Sequence, residues 1–178
     1  MTVTDRFLKY ISYETTALEE KEDGPSNPKI WALSNEMLRE LQELHPNEIS
    51  INRFGIVDAK FAGTGSRPMV AFISHLDTSN QASGKDVKPQ FIENYQGQDI
   101  KLNEELTLTV KEFPDLLVSK GHTLITTSGD TLLGGDDKAG VAIIMTALHN
   151  LIDNNIAHRP LEIMFTTDEE IGADAEHV

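Results

Sequence analysis

Apolar residues recur at helical spacing in three stretches of the chain, and each recurrence predicts a helix with one buried face. The three apolar stripes are Phe7, Tyr10 and Ile11; Ile30, Leu33, Met37, Leu38, Leu41 and Leu44; and Val141, Ile144, Met145, Leu148, Leu151 and Ile152. The first predicted helix starts after Thr4. The second opens with Asn27 as cap and Pro28 at its first position, and the third begins near Lys138. We expect all three stripes to contribute to the core.

Two further patterns predict strands. Residues 49–51 alternate between apolar and polar, and a turn at Phe54–Gly55 leads into 56–61, so we expect a hairpin. The run 69–74 is almost wholly apolar, which is typical of a strand covered on both faces. His75 follows at the C-terminal end of that run.

Three more strand candidates, 124–127, 131–133 and 161–166, are short. The helix from Lys138 lies between the last two, and that order predicts a strand, helix, strand crossover in a partly parallel sheet. Residues 80–115 are polar and lack periodicity, which predicts an irregular excursion over the surface. The predicted fold class is therefore α/β, with a mixed, partly parallel sheet between helices.

Composition limits the classes of partner and of metal site. The 178 residues, 39% of them hydrophobic, suffice for one domain or for one with an incomplete second. Acids outnumber bases 29 to 15, and the net charge of −14 disfavours nucleic acid and anionic membranes as partners while it suits cations. Without cysteine, a metal would be held by imidazole and carboxylate. No signal-peptide pattern or long apolar run is present, so we expect a soluble, cytoplasmic protein.

Three polar stretches follow apolar runs and together carry the residue types of a dinuclear metal site. They are Ser74–Asp77, Gly134–Gly140 and Thr167–Glu170. Each alone has a plainer interpretation: a strand-end histidine with a solvated acid, a helix cap, and a surface run of acids. All three stretches show an apolar strand, a polar turn and an acid in that order. This shared pattern favours their lying at one edge of the sheet, where functional sites of α/β proteins are commonly found.

The spacing within these stretches suggests individual roles. His75 and Asp77, two residues apart in an extended segment, point the same way, so the carboxylate can orient a metal-bound imidazole. Asp136 lies in a glycine turn that allows close approach, and it is the candidate to bridge two divalent ions. Of the adjacent Glu169 and Glu170, one can bind a metal while the other acts as general base.

The same stretches resemble the peptidase T family, the tripeptide aminopeptidase branch of the dizinc metallopeptidases that also include carboxypeptidase G and the aminoacylases. The resemblance lies in 73–78, 83–90, 93–95, 99–100, 121–127, 132–140 and 165–172. It extends from Arg6 to Gly172. It departs at Gly135 and Thr167, where the family commonly has Ala and Pro.

This resemblance implies a role for each candidate residue. His75 and Glu170 are terminal ligands, one for each of two zinc ions. Asp136 bridges both ions, and its peptide bond to the next residue is cis in the family. Asp77 is the catalytic aspartate that orients the histidine, and Glu169 is the base that shuttles the proton.

The resemblance also implies the fold, the activity and the extent of the domain. Residues 1–178 are the N-terminal part of the catalytic domain of a three-layer zinc exopeptidase fold, without its lid domain and C-terminal part. The intact enzyme releases the N-terminal residue of tripeptides, and a homodimer is compatible with the family. We expect the fragment to be inactive, since a further Asp ligand and a His ligand cannot be located; His177 lacks the matching context and is expected to be an exposed helix residue.

Two alternatives stay open. A carboxypeptidase or an N-acyl amino acid deacylase of the same family would share the metal ligands, and assays of tripeptides against N-acyl amino acids distinguish these enzymes. Outside enzymes, the chain could be a non-catalytic fragment that binds divalent metal ions.

Overall fold

The computed structural model describes residues 1–19 and 23–177. Its elements, in chain order, are α1 (Val3–Ile11), α2 (Ile30–Gln42), β1 (Glu48–Ile51), β2 (Val57–Phe61), β3 (Val70–His75), β4 (Gln90–Ile92), β5 (Ile100–Lys101), β6 (Thr107–Leu108), a 3-10 turn (Pro114–Ser119), β7 (Leu124–Thr126), α3 (Gly135–Asp153), β8 (Leu161–Thr166), a second 3-10 turn (Glu169–Ile171) and α4 (Asp174–His177). They form two compact units. The first combines Met1–Gln81 with the chain from Gly134 onward, and the second is Ala82–Leu133.

A four-stranded sheet in the order β1, β2, β8, β3 forms the centre of the first unit. β1 and β2 form the predicted hairpin, β2 pairs antiparallel with β8, and β8 pairs parallel with β3. Because β3 and β8 run in the same direction, their carboxyl ends lie side by side, with His75 opposite Thr166. The predicted α/β class with a partly parallel sheet is confirmed.

Local hydrogen bonds explain where the first two helices begin. Thr2 and Asp5 form a capping box at α1, in which the Thr2 hydroxyl accepts from the Asp5 amide at 3.1 Å and the Asp5 carboxylate accepts from the Thr2 amide at 3.0 Å. α2 begins at Ile30 rather than at Pro28. The reason is that Asn27 first closes a tight turn, with its carbonyl accepting the amide of Ile30 at 3.0 Å.

Most residues of the three predicted stripes are buried. α2 contacts β1 and β2, while α3 contacts β3 and α1. The fully buried side chains of this core include Tyr10, Ile30, Leu33, Met37, Leu41, Val141, Met145, Ile163 and Phe165. Each such apolar side chain contributes about 1.5–3 kcal/mol when it leaves water, so the periodic stripes account for how the helices dock.

The prediction that the run 69–74 is covered on both faces is wrong. Within the described residues β3 pairs with β8 alone and forms an edge of the sheet. Phe72 is 45% exposed and Ile73 is 61% exposed. Only the C-terminal end of the strand, at Ser74 and His75, is buried.

The strand predicted at 131–133 is also absent, because its backbone belongs to a turn. The Leu132 amide donates to the Ser83 carbonyl at 3.0 Å, and the Thr131 carbonyl accepts from the Thr127 hydroxyl at 2.5 Å. The crossover that leads through α3 to β8 therefore starts from β3 in the main sheet.

The second unit is more ordered than the sequence predicts for 80–115. β4 pairs antiparallel with β7, and β5 pairs antiparallel with β6. Tyr95 is fully buried in this unit, and its hydroxyl donates to the carbonyl of Gln98 at 2.7 Å.

His177 is buried, so the prediction of an exposed histidine is wrong. Its ring stacks on Phe54 with the centroids 3.7 Å apart, and the side-chain amide of Asn52 donates to its backbone carbonyl at 2.9 Å. The stacking fixes α4 on the turn between β1 and β2. No helix in the described part of the chain has the length and apolarity needed to cross a membrane.

Candidate metal centre

The ends of β3 and β8 and the start of α3 bring three predicted ligands together. His75 ends β3, Glu170 lies in the 3-10 turn after β8, and Asp136 lies at the start of α3. One potential ligand atom from each of these side chains lies within 4.8 Å of the other two. No other such group of three is found in residues 1–19 and 23–177. The parallel pairing of β3 with β8 thus explains why residues about a hundred positions apart meet here.

The imidazole of His75 faces acids through both of its nitrogens. Nε2 lies 3.0 Å from Asp136 Oδ1 and 3.8 Å from Glu169 Oε2. Nδ1 lies 3.0 Å from the carbonyl oxygen of Asp77 and 3.4 Å from its Oδ1. This is the arrangement of metal-binding histidines, in which one nitrogen faces the metal position and the other is held by an oxygen of the protein.

Asp77 also holds the turn that carries the two glutamates. Its carboxylate is fully buried and accepts hydrogen bonds from the amides of Glu169 at 3.2 Å and Glu170 at 3.1 Å. The sequence suggests only that Asp77 orients His75. The structure adds that the same carboxylate fixes the glutamate backbone against the end of β3.

The two acids of the α3 start have different surroundings. Asp137 is the cap of the regular helix: its carboxylate accepts from the Gly140 amide at 3.1 Å and from the Ser74 hydroxyl at 2.5 Å. A Cβ at Gly140 would lie 2.2 Å from Asp137 Oδ1, so a larger residue there would displace the Asp137 carboxylate. Asp136 and Asp137 have non-helical backbone angles, and their shared peptide bond is cis. Regular helix begins at Lys138, as predicted, and the Asp136 side chain stays 86% exposed.

Excess negative charge shifts the pKa values in this group. Burial alone would lower the pKa of His75, but hydrogen bonds and charges from Asp77, Asp136 and Glu169 raise it to about 9. Burial raises the pKa of Glu170, and the charges of Asp136 and Asp77 act in the same direction. The raised pKa of His75 indicates that negative charge dominates around the imidazole, which is the electrostatic environment that a divalent cation would stabilise.

Several further residues support the group. Lys138 is 2% exposed and donates to the Tyr13 carbonyl at 2.7 Å, and burial lowers its pKa to about 7. Asp168 is 1% exposed and accepts two hydrogen bonds from Ser26. Ser74 and Lys138 lie inside the motif stretches and could have been singled out there. The partner of Asp168 could not, because Ser26 lies 142 positions away.

Known proteins named peptidase T are similar in sequence to almost the whole of this chain. The chain is 48% identical over 180 residues to peptidase T of Clostridium novyi (strain NT), a match that covers 98% of this chain and 44% of that relative. The chain is a relative of peptidase T. A second peptidase T, from Caldanaerobacter subterraneus, is 47% identical over 175 residues, covering 96% of this chain and 43% of its own length. The chain thus spans less than half the length of the peptidase T sequences that it matches.

A solved structure supports the fold independently. The crystal structure of a tripeptidase from Staphylococcus aureus subsp. aureus Mu50 matches 99% of this chain and 39% of its own length, with a TM-score of 0.68 at 18% identity. At this identity the likeness concerns the fold alone, and it confirms the predicted α/β fold. No protein-family model matches the chain.

Proposed function

We propose that the chain is the N-terminal part of the catalytic domain of a zinc-dependent tripeptide aminopeptidase. The observation that carries the proposal is the convergence of His75, Asp136 and Glu170 within 4.8 Å in a chain 48% identical to a peptidase T. The imidazole and the two carboxylates are hard or borderline donors that zinc accepts. No thiolate is needed, in agreement with the lack of cysteine.

In this proposal the three converging side chains hold two zinc ions. A carboxylate oxygen of Asp136 lies within 4.8 Å of ligand atoms of both His75 and Glu170, and its side chain is 86% exposed, which supports a bridging role. His75 and Glu170 then each serve one ion. Bound zinc would polarise the scissile carbonyl and make water more acidic.

Glu169 is the proposed general base. Its Oε2 lies 3.8 Å from His75 Nε2, yet it is outside the group of three ligands and its side chain is half exposed. A carboxylate so placed can take a proton from the attacking water and deliver it to the leaving amine nitrogen. Asp77 contacts His75 and the backbone amides of Glu169 and Glu170, and so fixes these three residues relative to one another.

The proposed substrate is a tripeptide with a free N-terminus. Two features support this choice: the relatives named peptidase T, and a net charge of −14, which favours approach of an α-ammonium group. The same charge makes nucleic acid and anionic membranes poor partners. A cytoplasmic location and a homodimer of the intact protein belong to the proposal through the family resemblance.

We further propose that the remaining part of the catalytic domain covers β3. The relatives are more than twice as long as the aligned region. Among the residues that the structure describes, no strand pairs with the outer edge of β3, where Phe72 and Ile73 are exposed, as is Met69 just before the strand. Edge strands of this apolar character are normally covered. The remaining ligands would come from the same missing part, so the 178 residues alone should lack tripeptidase activity.

Zinc titration of the chain by calorimetry tests the metal site. Wild type is expected to bind zinc, and His75→Ala should weaken binding by more than about 100-fold, since direct ligands matter more than their supporting partners. His149→Ala is the matched control, because His149 lies on α3 beside Asp153, away from the proposed ligands, and should bind like wild type. Equal affinities for wild type and His75→Ala would refute the site.

A chimera tests the activity. This chain would replace the 180 aligned residues of the Clostridium novyi relative, and the product would be assayed with tripeptides and with N-acyl amino acids. We expect tripeptide cleavage. Glu169→Gln should keep the zinc content and lower turnover about 10²–10⁴-fold. Cleavage of N-acyl amino acids instead would favour the deacylase alternative, and full turnover in Glu169→Gln would move the base elsewhere.

A further inference from the structure

Asp168 is a buried acid that is not among the proposed ligands or bases. It is 1% exposed, immediately precedes Glu169 and Glu170, and has a left-handed backbone with φ of 65°. Its Oδ2 accepts from the amide of Ser26 at 2.9 Å, and its Oδ1 accepts from the hydroxyl of Ser26 at 2.5 Å. Burying a carboxylate without hydrogen-bond donors destabilises the folded protein, so Asp168 depends on the two donors of Ser26.

Ser26 is itself fixed by the segment that follows α1. The serine is fully buried, and its hydroxyl oxygen accepts from the Leu18 amide at 2.9 Å. The same segment bonds to the end of β3: the Thr78 amide donates to Thr15 at 3.0 Å, and the Ala17 amide donates to Thr78 at 2.9 Å. The segment 15–18 therefore connects Ser26 to the residue next to Asp77.

These contacts close a ring of hydrogen bonds around the glutamate turn. One side is Asp77, which accepts the amides of Glu169 and Glu170. The other side is Asp168, which is bonded to Ser26 and so, through 15–18, back to Thr78. The turn is thus held at its start and along its backbone, and the directions of its two side chains follow from the backbone angles fixed in this way.

We propose that Asp168 and Ser26 are positioning residues that set the directions of Glu169 and Glu170. The role rests on the proposed function in one respect only, namely that the positioned glutamates serve a metal site. If the pair is lost, the turn gains freedom, the glutamate carboxylates spread over more orientations, and binding of a cation has to restore the lost order.

The test uses the whole 178-residue chain and two single variants. Asp168→Asn keeps a residue type that tolerates the left-handed backbone, but it places an amide where one of the two Ser26 donors points. Ser26→Ala removes the hydroxyl and keeps the amide donor. Thr167→Val is the matched control, because it removes a buried hydrogen bond of the preceding residue, from its hydroxyl to the Phe54 carbonyl at 2.9 Å, outside the ring.

The first readout is hydrogen exchange of backbone amides in metal-free protein. Asp168→Asn and Ser26→Ala should each accelerate exchange at Glu169 and Glu170 about tenfold, while the Ile163 amide in β8 keeps its wild-type rate. The double variant should exceed the single variants only slightly, because both act on the same Ser26–Asp168 pairing. Thr167→Val should leave the ratio of turn to strand exchange unchanged.

The second readout is the zinc dissociation constant, which should rise about tenfold in both variants and stay unchanged in Thr167→Val. Unchanged exchange at Glu169 and Glu170 in both variants would overturn the positioning role, and so would accelerated exchange with wild-type zinc affinity. If wild type binds no zinc, the proposed metal site fails, and the exchange rates still decide whether Asp168 and Ser26 hold the turn.

Discussion

Two clusters of charged side chains in the first unit differ in what neutralises them. Between α1 and α2, Arg6 is 4% exposed and is bonded to Glu40 and to the Tyr10 hydroxyl. Lys9 contacts Glu40 at 2.7 Å and also Glu36. We call this set the helix cluster, and in it every buried acid has a basic side chain as its partner.

At the ends of β3 and β8 the balance is reversed. Four carboxylates, those of Asp77, Asp136, Glu169 and Glu170, lie around the single imidazole of His75. Lys138, whose charge acts on Asp77, gives its hydrogen bond to a backbone carbonyl instead. We call this set the strand-end cluster.

The difference separates a cluster that stabilises the fold from one that suits a ligand. A buried acid that is paired with a basic side chain leaves no excess charge for a ligand to neutralise. An excess of carboxylates that converge on one point is repulsive until a cation binds there. Neutralising one acid should therefore have opposite effects on the stability of the metal-free protein in the two clusters.

The largest effect is expected in the helix cluster. Arg6→Met leaves Glu40, which is 4% exposed, with only Lys9 and the Tyr10 hydroxyl as partners, so the free energy of unfolding should fall by up to about 3–5 kcal/mol. Urea unfolding followed by fluorescence measures this, since the single tryptophan, Trp31, lies in α2. The double variant Arg6→Met, Glu40→Leu should recover most of the lost free energy of unfolding. A loss below about 1 kcal/mol in Arg6→Met alone would show that the Arg6–Glu40 ion pair does not stabilise the fold.

A smaller effect is expected from Glu36. Hydrogen bonds from Arg39 and Lys9 lower its pKa to about 2, against the opposing effect of burial. A lowered pKa means that the stabilisation is present above the ordinary value of 4.5 and is lost as the pH falls towards 2. Glu36→Gln should cost about 1–2 kcal/mol at pH 7, after allowance for solvent screening, and flatten the loss of stability between pH 4.5 and 2. Identical acid titrations of stability for wild type and variant would contradict this account.

The smallest effect has the opposite sign. Burial and neighbouring acids raise the pKa of Glu170, so its negative charge destabilises the folded, metal-free protein. Glu170→Gln removes this charge, and in the presence of a chelator it should raise the free energy of unfolding by at most about 1 kcal/mol. With saturating zinc the same variant should be less stable than wild type, because a ligand is lost. A destabilised metal-free Glu170→Gln would mean that the strand-end cluster is balanced after all.

Periodicity predicts much of the first unit. The stripes of α1 and α3, the β1–β2 hairpin and the strand β8 all follow from local patterns, because each element buries the face that its own sequence marks as apolar. Exposure of β3 does not follow. The apolar side chains of Phe72 and Ile73 favour burial, but the sequence of the strand does not show which other residues would have to pack against them.

The site shows the same limit. Its three proposed ligands could be selected from the sequence because each lies next to a strand end or a helix start, features that local sequence reveals. The Ser26–Asp168 pairing and the stacking of His177 on Phe54 join residues more than a hundred positions apart. No local pattern records such contacts, since both depend on how the finished sheet brings distant turns together.

Zinc-edge anomalous diffraction from crystals of the chain grown with zinc tests the central claim most directly. We predict two anomalous peaks, one about 2.0–2.2 Å from His75 Nε2 and a carboxylate oxygen of Asp136, the other at the same distance from carboxylate oxygens of Glu170 and Asp136. A zinc-saturated crystal with its peaks on other surface acids, and none between these three side chains, would contradict it.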